Sequence, residues 1–175
     1  MFQKSKTALI GIVILATGLV MSSCNKQLEY ISVGGCPAVG VLAHTGSLTR
    51  FNSTEETNGN VILDATIADL NFTCLESNTI DTTISFSIQA RRGPAMTNDV
   101  HSFTYVIVVI KDNYMITTKK KFTTQVRFAP GRDTAGVRET IVQHFDNNEV
   151  SLRYDYEIFV GFELTPDELK FNVTR

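Results

Sequence analysis

Apolar and polar residues alternate along most of the chain with a period of two, most cleanly from Ile80 to Ala90. Ile80, Thr82, Ile84, Phe86, Ile88 and Ala90 fall on one side, and Asp81, Thr83, Ser85, Ser87, Gln89 and Arg91 on the other. Successive strand side chains point to opposite faces, so this pattern predicts a strand with one face in a core and one in water. The same reasoning predicts strands from Val61 to Ile67, from Phe122 to Phe128 and from Leu152 to Leu164. After Ile67 the apolar phase jumps to even positions, at Leu70, Phe72 and Cys74. A flip of phase inside one strand predicts a bulge or a bend. Val39, Val41 and Ala43 open an earlier strand, which Leu48 to Phe51 continue beyond a kink at Gly46. Val137 to Phe145 is a further strand of mixed pattern.

Phe103 to Ile110 breaks the alternation, because every residue from Tyr105 to Ile110 is apolar. Two readings fit: a central strand covered on both faces, or a strand with one face in an interface. The second makes Tyr105, Ile107 and Val109 candidate contact residues. Lys119, Lys120 and Lys121 form the one basic run, a candidate surface for lipid headgroups or acidic polymers. The plainer reading of that run is an edge strand kept soluble by lysines.

Turn signals separate these segments: the polar stretch Asn52 to Asn60, Arg92-Gly93-Pro94, Asp112-Asn113, Pro130-Gly131 and Asp146-Asn147-Asn148. Thr165-Pro166-Asp167-Glu168-Leu169 predicts a helical turn, with Thr165 as N-cap, Pro166 first in the helix and Glu168 reaching back in a capping box. About seven strands and no long helix beyond the amino terminus predict an all-β fold. The expected form is an antiparallel β-sandwich, immunoglobulin-like in the broad sense, with an antiparallel β-barrel as the alternative.

The amino terminus follows a different rule. Lys4 and Lys6 precede an uncharged apolar run from Ala8 to Val20, then Met21, Ser22, Ser23 and Cys24. This is the layout of a secretory signal, expected as a signal helix over residues 1–23. A membrane span needs roughly 20 apolar residues, which this run lacks. Residues 24–35 have little hydrophobic pattern and read as a tether to a domain over residues 36–175. Cleavage before Cys24 leaves 152 residues, with 14 basic against 18 acidic, a net charge of about −4. That balance gives no reason to expect nucleic acid as a partner.

Ser22-Ser23-Cys24 resembles the lipobox of bacterial lipoproteins, with Met21 standing where Leu is usual. The resemblance implies a diacylglyceryl group on the Cys24 thiol, cleavage before Cys24 and acylation of the new amine. Several acyl chains hold a protein to a membrane where one is marginal. Asn25 replaces the Asp that retains enteric lipoproteins in the inner membrane, which favours the outer membrane, facing the periplasm. In an oxidising compartment, Cys36 and Cys74 are candidates for a disulfide. The other reading is two buried free thiols.

Little else carries chemistry. His44, His101 and His144 have no metal-ligand spacing, so no metal or cofactor is expected. His44-Thr45-Gly46-Ser47 lacks the second glycine of a nucleophile elbow, and no phosphate loop is present. Asp146-Asn147-Asn148-Glu149 lacks the spacing of a calcium loop. The expected function is therefore a non-enzymatic interaction or scaffold module. It is held to the membrane through lipid on Cys24 and works with an envelope protein partner. The alternative is a binder or carrier of an apolar small molecule or lipid.

Two further stretches extend the resemblance. Cys36-Pro37-Ala38-Val39 followed by Leu48-Thr49-Arg50-Phe51, together with the run from Tyr156 to Leu169, resemble small uncharacterised envelope lipoproteins of alphaproteobacteria. The likeness covers most of the mature chain, and these two ends are its specific parts. It implies the lipoprotein address and a cysteine before the proline. It brings no activity, catalytic residue or named partner.

Overall fold

The computed structural model describes residues 36–77, 79–146 and 156–174. The expected signal, Cys24, the tether and the expected strand start at Leu152 lie outside the described residues. Within them the chain forms strands β1 (Ala38–Val41), β2 (Ser47–Phe51), β3 (Val61–Glu76), β4 (Thr79–Arg92), β5 (Val100–Lys111), β6 (Met115–Arg127), β7 (Thr134–Asp146) and β8 (Tyr156–Phe162), then helix α1 (Pro166–Thr174). Two four-stranded sheets result, in the orders β1-β8-β5-β6 and β2-β3-β4-β7. The sheets stack as a sandwich and do not close into a barrel. All neighbours are antiparallel except β1 and β8.

The alternation explains the layering. Ile84, Phe86, Ile88 and Ala90 of β4 are buried on one face, opposite Phe103, Tyr105, Ile107 and Val109 of β5 in a single core, and Ile80 is buried on the same face of β4. Phe86 meets Tyr105 edge-on, with ring centroids 5.2 Å apart. Phe128 and Phe162 are also fully buried in this layer. The expected phase flip in β3 is a register shift between Ala68 and Asn71, where Asp69 takes a φ of 53°. At the Asp112-Asn113 turn both residues have positive φ, 55° and 63°. That pair of angles is the signature of a type I′ turn, which matches the twist of a hairpin.

The first expected strand is two strands, one in each sheet, which raises the described count to eight. The change of sheet occupies one peptide. The Thr45 carbonyl accepts from the Phe162 amide in one sheet (2.8 Å), and the Gly46 carbonyl accepts from the Ile67 amide in the other (2.9 Å). The corner passes so close to β8 that a Cβ on Gly161 would lie 2.0 Å from Thr45 Oγ1.

Helix α1 is nine residues long, more than the single turn expected. Its capping box is formed: Thr165 N–H donates to Glu168 Oε2 (2.7 Å) and Glu168 N–H to Thr165 Oγ1 (3.3 Å). The last turn explains the extra length. Buried Asn172 donates from Nδ2 to the carbonyls of His44 (2.8 Å) and Ser47 (2.7 Å), and Phe171 packs edge-on against Phe51. The helix thus fastens the corner where the chain changes sheets.

Cys36 and Cys74 are joined by a disulfide with Cα atoms 6.0 Å apart, closing a separation of 38 residues. It ties the entry of β1 to the end of β3 in the opposite sheet. Replacing both cysteines by serine should lower stability by about 3–4 kcal/mol, the chain-entropy value for a loop of this size, seen as a lower urea midpoint with a steeper slope, because the unfolded chain without the cross-link exposes more surface. Asn172→Ala leaves two corner carbonyls without their donor and should lower stability by about 1–3 kcal/mol in the same measurement.

Candidate interaction surface

Strand β5 lies between β8 and β6, and its two faces have different neighbours. Tyr105, Ile107 and Val109 point inward and are at most 1 % exposed. The expectation that they form a contact surface is therefore corrected: they are core. Val106 and Val108 point outward and are also buried. Beside them, Lys121 of β6 pairs with Val106 in register and forms an ion pair with Glu163, beyond the end of β8. The unbroken apolar run is thus a strand covered on both faces, the first of the two readings.

Lys119, Lys120 and Lys121 lie exposed on β6, an edge strand of the first sheet. Lys119 and Lys121 share the outer face with Val108 and Val106, while Lys120 is opposite Ile107 on the inner face. An inward-directed lysine at a sheet edge opposes pairing with a further strand. These lysines are where a contact surface was expected, but without the apolar partners.

Four exposed apolar residues escaped the sequence reading: Tyr114 (76 % exposed), Met115 (45 %), Ile116 (62 %) and Leu75 (69 %). The first three follow the Asp112-Asn113 turn directly and occupy the tip of the β5–β6 hairpin. A signal for them existed. Three apolar residues beside a turn depart from the rule that hairpin tips are polar.

Elsewhere, charged and polar groups are occupied with one another. Asp64 accepts from Thr49 Oγ1 (2.9 Å) and Arg91 Nη2 (2.8 Å) along a shallow hollow on the outer face of β3, β4 and β7. Between β2 and α1 a second groove holds Arg50, which contacts Glu168 (3.7 Å), donates to the Ser102 carbonyl (3.0 Å) and lies over the Phe103 ring. His144 pairs with Asp81, His101 hydrogen-bonds the Asn98 carbonyl (2.8 Å), and His44 sits at the corner with a φ of 61°. The three histidines are on separate parts of the molecule. No group of three or more His, Cys, Asp or Glu close enough to hold a metal occurs among the described residues. No helix of the described residues is long and apolar enough to cross a membrane.

One buried titratable group stands apart. The Tyr105 hydroxyl donates to Glu139 Oε2 (3.0 Å), across from the first sheet to β7 in the second. Burial raises the Tyr105 pKa above its ordinary value of 10.0, and the bond to the Glu139 carboxylate and its charge raise it further.

Compared with protein-family models, curated proteins and solved structures, the chain matches none.

The raised pKa fixes a sign. Below pH 10 the phenol is neutral in both folded and unfolded chains, so its contribution is fully present. Above pH 10 the unfolded chain gives up the proton while the folded one holds it, and stability falls. Tyr105→Phe should cost about 1 kcal/mol at neutral pH, through the lost hydrogen bond. It should also flatten the fall above pH 10, as read from urea midpoints across the alkaline range.

Proposed function

We propose that this chain is a lipid-anchored protein of the bacterial cell envelope whose β-sandwich serves as a non-enzymatic interaction or scaffold module. The observation that carries the reading is the amino-terminal sequence, in which a charged start and a short apolar run lead to Ser22-Ser23-Cys24. The disulfide between Cys36 and Cys74 supports it from a separate direction, since such bonds persist in oxidising compartments. Cys24 then carries the acyl chains, and Asn25 favours the outer membrane, facing the periplasm. The partner in this reading is an envelope protein.

The module reading draws on how the sandwich is built. Several of its charged side chains are engaged in ion pairs that hold strands together, such as Asp64 with Arg91 and Lys121 with Glu163. Its interior is filled by Phe86, Phe103, Tyr105, Phe128 and Phe162. That filling weighs against the alternative of a lipid carrier, which needs hollow space between the sheets.

Expression of the full chain in a bacterium, followed by mass measurement of the membrane fraction, tests the anchor. The wild-type protein should begin at Cys24 and carry the added mass of its acyl chains. Cys24→Ser should leave an uncut, unacylated precursor. A wild-type protein cut elsewhere and recovered without lipid would sink the proposal. Crosslinking in intact envelopes tests the module: one reproducible protein partner is expected.

A further inference from the structure

The exposed apolar residues are not scattered. Among the described residues seven large apolar side chains are exposed, and Tyr114, Met115, Ile116 and Leu75 share one end of the sandwich. Lys111 at the end of β5 pairs with Met115 on one side and with Tyr156 at the start of β8 on the other. The start of β1 runs parallel to the start of β8, with Ala38 opposite Glu157. Cys36, two residues earlier, is bonded to Cys74, and Leu75 follows it. The hairpin tip, Leu75 and the point where the chain enters the domain are therefore at the same pole.

We infer that this pole rests on the lipid surface, with the Tyr114-Met115-Ile116 tip entering the boundary between headgroups and acyl chains. The inference rests on the lipid anchor at Cys24. Three observations favour a bilayer over other occupants. The first is the chain that precedes the domain. Residues 24–35 span at most about 40 Å when fully extended. The 12 residues of β5 span about the same length. Bringing the opposite pole to the membrane would use the whole tether, whereas the Cys36 pole reaches it with slack.

The second observation is residue type. A tyrosine beside two flexible or branched apolar residues suits the interface, where amphipathic rings sit at headgroup level. The third is charge. Residues 111–121 carry four lysines and one aspartate, a net charge of +3 on a chain whose mature part is about −4. Lys121 is paired with Glu163, so Lys111, Lys119 and Lys120 against Asp112 leave an excess of +2. Anionic headgroups attract such a cluster.

The chain has no tryptophan, so a single one can report depth. Tyr114→Trp replaces one interfacial ring by another at an exposed turn. Ala129→Trp puts the probe at the opposite pole, where the residue is also exposed. Each variant is made as the full chain, isolated as the membrane-bound form and reconstituted in vesicles of phosphatidylethanolamine and phosphatidylglycerol with brominated acyl chains. The probe at 114 should lose roughly half its emission relative to unbrominated vesicles, because an interfacial indole lies within reach of the chains. The probe at 129 should keep its emission.

A vesicle-bound protein whose probe at 114 is as bright as the one at 129 overturns the docking and leaves the anchor standing. A protein that carries no acyl mass overturns the anchor and the docking with it. Quenching at 114 that disappears in Ile116→Asp, with vesicle attachment retained, supports entry of the tip itself.

Discussion

Each sheet turns a face of large apolar side chains inward, and these two faces leave water against each other. Everything else in the architecture answers to that constraint. Tyr105 meets Phe86 at the middle of the layer, and Phe103, Phe128 and Phe162 fill the same layer. The largest polar group in this layer arrives with a partner, whereas the smaller Thr82 hydroxyl is buried without one. The Tyr105 hydroxyl is satisfied by Glu139, which approaches from β7 at the rim of the second sheet. Burying a phenol without such an acceptor would be costly, so the bond also sets which part of β7 lies over β5.

A two-layer stack leaves four edges, and the chain treats them differently. The edge at β6 is guarded by three lysines, one of them on the inner face. The short strands β1 and β2 form the edges at the other side. They belong to one stretch of chain that changes sheets between Thr45 and Gly46. Such a crossing exposes carbonyls that no ladder can use, and Asn172 takes up two of them at once. The terminal helix is thus part of the solution to an edge, although its own apolar contacts are few.

Much of this was legible in the chain. The even-numbered apolar residues of β4 and the phase flip of β3 follow from period-two alternation alone, and the capping box around Thr165 follows from residue types. The division of the first strand was only half legible. Gly46 marked a kink, but nothing local says that the two halves join different sheets, because that depends on pairing with distant β3 and β8. The role of β5 was ambiguous for the same reason. An unbroken apolar run looks the same whether its outer face meets a partner or is buried within its own chain. Tyr114, Met115 and Ile116 were missed because attention to alternation passes over residues beside a turn. Cys24, by contrast, is read from local sequence and owes nothing to the fold.

The disulfide has a mechanical side. A pull transmitted along the chain from its amino terminus reaches Cys36 before it reaches the four residues of β1. From Cys36 the force passes through a covalent bond to Cys74, at the end of a 16-residue strand hydrogen-bonded along its length to β4. Strands β1 and β2 lie inside the covalent loop and are shielded from the load. A short edge strand is thereby removed from the line of traction, and resistance falls to the long ladder between β3 and β4.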